Sequence, residues 1–185
     1  MKRVMVAALA LALCLAAVAA VGCGGNTSQA KKDMQAADKA YAAVKTQMDA
    51  LGTQLTTVLG GAVSGNFSQL TPAVVATANA SVTKILAELP PVKADYQKIT
   101  ALTGVPDYVA YANGMIKTID LDQSSLTAGK KLIDDLTPLV AAGNTAAISA
   151  YFTANTQTLN TLQAQSTAAS QAYTNAQNIK SGKNL

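Results

Sequence analysis

The chain contains no histidine and no tryptophan, and its 185 residues include only two cysteines and two phenylalanines. Each shortage excludes something. Without histidine, the commonest general base, the usual hydrolase triads and the main nitrogen ligand for zinc or copper are missing, so no metal or cofactor is expected. Aromatic residues make up 4% of a sequence that is 50% apolar. A core built from aliphatic and small side chains favours closely packed helices over a β-sandwich or barrel. Charge is also scarce, at 13% of residues, and once Lys2 and Arg3 are set aside twelve basic side chains face ten acidic ones. That balance argues against nucleic acid, which rewards clustered positive charge.

What is present begins at the N-terminus. Lys2 and Arg3 precede an unbroken apolar run from Val4 to Val21, which has the positive n-region and apolar h-region of an export signal. The run ends in Ala20-Val21-Gly22-Cys23, which resembles the bacterial lipobox, although Ala20 stands where leucine is usual. The resemblance implies a signal peptide over 1–22, cleavage before Cys23, acylation of that cysteine and a domain outside the cytoplasm, lipid-anchored to the cell membrane. Gly24 is not the aspartate that retains some lipoproteins at the inner membrane, so the outer membrane is the destination if the host has one. Cys14 follows Leu13, too large for the cleavage position, and is expected to leave with the leader. The alternative is that the 18-residue run is never cut and spans the bilayer as a helix. Neither reading leaves an intradomain disulfide.

Residues 23–28 read as the lipidated cysteine followed by a flexible Gly, Asn, Thr and Ser tether. From Met34 to Val58 apolar positions recur every three or four residues, the stripe of an amphipathic helix, which is expected to stop at Gly60-Gly61 with a turn over 60–66. A second stripe, Val75, Ala78, Val82, Ile85, Leu89, Val92, Tyr96 and Ile99, keeps its phase through Pro90-Pro91 and predicts one helix kinked near Leu89. Gly104 and Pro106 mark a reversal, and a third helix is expected from about Asp107 to Val140, with a polar core layer near Asp122. Gly143 closes it and Asn144 or Thr145 caps a fourth, from Ile148 to Ala176. The fold class is therefore all-α, an elongated antiparallel up-down-up-down four-helix bundle over 29–180, with a polar tail at 181–185. The heptads are compatible with a monomer or with a dimer of open hairpins.

Motifs that could carry chemistry fall short. In the acidic stretch from Asp120, Ser125 and Lys131 replace the glycine and bidentate glutamate of a calcium loop. Gly61 to Asn66 lacks the lysine and hydroxyl of a phosphate loop. Asp134 and Asp135 are adjacent and diverge by about 100° on a helix. No catalytic group is assigned, and the chain is expected not to be an enzyme.

Four sets of residues remain. Cys23 is the lipid attachment point. Tyr41, Tyr96 and Tyr173, on the helix seams, are candidates for lining a small-molecule pocket, against the plainer reading that they fill core and bond through their hydroxyls. Lys31, Lys32, Lys180 and Lys183 gather at one end and are candidates for contact with an anionic membrane surface. Val63 and Phe67, at the uncharged opposite tip, are candidates for contact with an envelope protein partner. The expected role is a non-enzymatic binding or structural component of the cell envelope. The alternative is a sensory or solute-binding bundle, which resembles the ligand domains of bacterial chemoreceptors in architecture.

Overall fold

The structure, a computed structural model, describes residues 22–185 apart from Ser64; for 22–25, Leu59 and Val63 it describes the backbone alone. The apolar leader and Cys14 lie outside the described residues, as does the side chain of Cys23. Five helices follow one another: α1 (Gly22–Val63), α2 (Pro72–Thr100), α3 (Pro106–Ala141), α4 (Thr145–Ala154) and α5 (Thr156–Gly182). There is no strand among the described residues, and none of their helices is long and apolar enough to cross a membrane.

The helix ends have local causes. Thr71 accepts a bond from the Val74 amide and Pro72 occupies the first turn of α2, where its missing N–H costs nothing. Asn144 caps α4 by accepting from the Ala147 amide. At the close of α3, Gly143 adopts φ +63°, which lets its amide return to Val140 and that of Asn144 to Leu139.

Helix α2 follows its sequence pattern closely, since its eight buried residues are the eight stripe positions from Val75 to Ile99. Helix α3 differs, burying Tyr111 beside Ala112 and Thr118 beside Ile119. It packs along both α2 and α5, and its adjacent buried pairs are ones a single 3-4 alternation does not supply.

Three expected boundaries are corrected. The 24–28 segment is not a tether but the first turns of α1, where Asn26 donates from its amide nitrogen to the Thr103 carbonyl at 2.7 Å and Ala30 is already buried. Helix α1 also runs through Gly60-Gly61 to Val63, and the Asn66 and Gly65 amides then close it on the carbonyls of Gly61 and Ala62. The polar tail begins inside α5, which runs on to Gly182, and Leu185 bonds back to the Lys180 carbonyl and packs against the main core.

The stretch expected as one fourth helix is divided at Asn155 into α4 and α5. There the Asn155 side chain donates to the Tyr151 carbonyl, and Thr156 Oγ1 donates to those of Phe152 and Thr153. Polar side chains that take the carbonyls of the preceding turn compete with the helical ladder.

Packing between α3 and α5 is unusually close. A Cβ added at Gly114 would lie 2.9 Å from the Ala176 Cβ, and every buried residue of α5 is an alanine: Ala169, Ala172 and Ala176. Gly114→Ala is therefore expected to destabilise the protein by about 1–2 kcal/mol although alanine is the better helix former. A denaturation midpoint that rises instead would contradict the close approach.

Candidate functional site

Two features stand out where α1 meets the other helices. The first is Asp38. Its Oδ1 accepts from the hydroxyls of Tyr96, at 2.7 Å, and Tyr111, at 2.6 Å, while Oδ2 faces the Lys180 ammonium at 2.5 Å. Gln177 donates to the Tyr111 oxygen at 3.3 Å, and the Lys180 ammonium also lies 5.7 Å from the centre of the Tyr111 ring. One carboxylate thus joins α1, α2, α3 and α5. Burial, and then the neighbouring Tyr111 and Asp38, push the Tyr96 hydroxyl far above its ordinary value; burial and the bond to Asp38 do the same to Tyr111. These phenols stay protonated donors, and the cluster is a structural clasp.

The second feature is a cleft. Helix α5 packs along α3 and stands off from α1; among the described residues their Cα atoms nowhere come within 8 Å. Near the clasp the gap is bridged by side chains, with the rings of Tyr41 and Tyr173 at 5.8 Å. Beyond them it opens into a space of about 1090 Å³. Helix α1 walls it from Tyr41 to Gly60, a run of roughly 28 Å at the helical rise. Leu51, Leu55, Leu159 and Leu162 line the two sides, and Val82, Leu126 and Leu136 line its inner wall. Leu55, Leu159 and Leu162 are only half-buried, although they occupy stripe positions. Among the described residues, no group of three or more potential acidic or cysteine ligands is placed to hold a metal.

Charge in the lining is confined to Lys45, Asp49 and Asp122, all at the Tyr41 end. Lys45 is bound to both oxygens of Asp49, at 2.8 and 2.7 Å. Asp122 accepts from the Tyr41 hydroxyl at 2.9 Å. Burial raises the Asp122 carboxyl above its ordinary value, with the Tyr41 bond and Lys45 opposing the shift.

The residues singled out from sequence are distributed as follows. Tyr41 and Tyr173 come together and line the cleft; Tyr96 does not line it, being buried in the Asp38 clasp. Lys31 and Lys32 are exposed on α1, whereas Lys180 turns inward to Asp38 and Lys183 to Asp107 at 3.3 Å. Phe67 is half-buried and packs against a second cluster of apolar residues around Val58, Leu70 and Leu136. The Val63 side chain lies outside the described residues.

Sequence reasoning missed Asp38 and Tyr111. The available signal was positional: Asp38 is four residues after Met34 and three before Tyr41, so an acid sits within the buried stripe.

The chain matches no protein-family model, no curated protein and no solved structure.

Proposed function

We propose that this chain is an exported lipoprotein, acylated at Cys23, whose helical domain is a non-enzymatic solute-binding component of the bacterial envelope. The cleft carries the binding part of this reading. Its volume of about 1090 Å³ lies at the upper end of ligand pockets, and its walls are mostly apolar with scattered hydroxyl and amide groups and the charged groups confined to one end, a pattern that suits amphiphilic or hydrophobic molecules. Leucines on facing helices left half-exposed along one continuous groove are a cost that a hydrophobic ligand removes. The anchoring part rests on the Lys2-Arg3 and Val4–Val21 leader and the small residue Gly22 before Cys23.

We read the packing as an up-down-up-down bundle whose fourth pass is α4 with α5. Asp38 pairs with Tyr96 and Gln47 with Glu88, so partner numbers fall along α2 as they rise along α1. Asn79 with Asp134 and Lys93 with Asp120, then Tyr111 and Ser124 with Gln177 and Gln165, follow the same rule. A bend belongs at Pro90-Pro91, where two backbone donors are missing inside α2. In this arrangement Cys23 shares an end with the Thr103 turn and the C-terminus, and the cleft opens in the half of the bundle directed away from the lipid.

A series of n-alcohols tests the binding. Sequestering each methylene contributes about 0.8 kcal/mol, so affinity should rise about fourfold per carbon until the chain outgrows the cleft. Ser166→Trp, which places a bulky ring in the cleft from α5, should weaken every member by at least about tenfold. Affinity that is independent of chain length, or unchanged by Ser166→Trp, would sink the reading. Intact mass tests the anchor: the mature protein should begin at acyl-Cys23, and a species retaining residues 1–22 without acyl groups would contradict it.

A further inference from the structure

The cleft is chemically polar in one sense, and that polarity bears on what enters it. Away from the Tyr41 end its walls carry no charge, and α2 and α5 contribute no carboxylate or ammonium group to the lining. At the Tyr41 end, the Lys45 and Asp49 charges cancel in a bidentate contact. The carboxylate left over is Asp122. It belongs to none of the ion pairs among the described residues, and only its Oδ2 is engaged, by the Tyr41 hydroxyl. Beside it the tilted rings of Tyr41 and Tyr173, with 31° between their planes, line the same space.

An aromatic pair beside one uncancelled carboxylate is chemistry that recognises an ammonium group: the ring quadrupoles attract a cation, and the carboxylate balances its charge. An anionic head would meet the Asp122 charge without a free cation to offset it. A neutral head would leave that charge as it is. Burial makes the charged form of Asp122 a cost to the fold, and a bound cation relieves that cost.

We propose that Asp122, Tyr41 and Tyr173 receive the ammonium head of an alkylammonium amphiphile whose chain lies along the apolar wall toward Leu159 and Leu162. This inference rests on the solute-binding reading above and adds to it the sign of the ligand's charge and the end at which it is read. Tyr41, only 4% exposed, holds Asp122 in place through its hydroxyl, and the half-buried Tyr173 ring offers the larger surface to the cation.

The test compares three probes with the same eight-carbon chain, octyltrimethylammonium, 1-octanol and octanoate. Each is titrated by calorimetry into the full chain in nanodiscs of neutral lipid, with protein-free nanodiscs as the blank. The ammonium should bind about tenfold more tightly than octanoate, with octanol between them. Asp122→Asn keeps an acceptor for Tyr41 and should draw the three probes to within about threefold of one another. An unchanged far-ultraviolet circular dichroism spectrum and urea midpoint show that the variant is folded. Octanoate binding as tightly as the ammonium, or a cation preference that survives Asp122→Asn, overturns the proposal and leaves the cleft reading standing. Failure of all three probes to bind overturns both.

Discussion

Asp38→Ala is expected to destabilise the protein by about 3–5 kcal/mol, the range for removing one partner of a desolvated charge pair. That corresponds to a fall of roughly 10 °C in Tm for a domain of this size. The side chain is 20% exposed, so the loss should lie toward the lower end. Three donors depend on this one group: the Tyr96 and Tyr111 hydroxyls, both on residues with no exposure, and the Lys180 ammonium. Truncation leaves two buried phenols with only each other to bond, so that at least one loses its acceptor, and a half-buried cation without a counter-charge, and unsatisfied buried donors cost more than the bonds contributed. Asp38→Asn retains one acceptor oxygen and should cost about half as much. Tyr96→Phe and Tyr111→Phe should each cost about 1–2 kcal/mol, and combining either with Asp38→Ala should add less than the sum because the residues share one network. Equilibrium urea unfolding checks all of these. A loss below about 1 kcal/mol for Asp38→Ala would show that the clasp is not what joins the four helices.

The second large effect is alkaline. Burial, reinforced by Asp122 for Tyr41 and by Asp38 for Tyr96 and Tyr111, raises all three hydroxyls above their ordinary values. In the unfolded chain they ionise near ~10. A folded value raised above the unfolded one means the contribution is fully present below about pH 10 and is lost as pH rises beyond it. With three such groups the loss approaches ~4 kcal/mol per pH unit, enough to exhaust a typical folding stability within a few units. Tyrosinate absorbance and far-ultraviolet circular dichroism should therefore change together in one cooperative step for these residues. Ionisation of all six tyrosines near pH 10 with the helical signal intact would contradict the buried network.

How far the sequence reached follows from what a one-dimensional pattern encodes. A helix with one principal buried face writes that face directly, which is why α2 was legible to the residue across its two prolines. Helix α3 buries adjacent residues and so blurs the 3-4 rule, and Tyr111 fell outside the stripe read from its sequence. The pairing of Tyr41 with Tyr173 was approachable, because both lie on stripes.

The cleft was not legible. It is a matter of the distance between α1 and α5, whose Cα atoms, among the described residues, nowhere come within 8 Å. Periodicity reports which face a residue occupies and says nothing of how far apart two faces stand. The break at Asn155 was hidden for a related reason: Asn155 and Thr156 fit the helical phase, and the division shows only in the Asn155 backbone, at φ −100° and ψ 12°. Asn26 likewise reads as tether by composition, and its bond to Thr103 is a tertiary contact that composition does not contain.

The central claim, that the space between α1 and α5 holds a hydrophobic or amphiphilic molecule, is tested most directly by native mass spectrometry of the full chain extracted gently from its own envelope. The account predicts a non-covalent adduct on the wild-type protein, released on activation and lost in Ser166→Trp. A wild-type mass explained by the polypeptide and its covalent lipid alone, or an adduct that persists undiminished in Ser166→Trp, would contradict it.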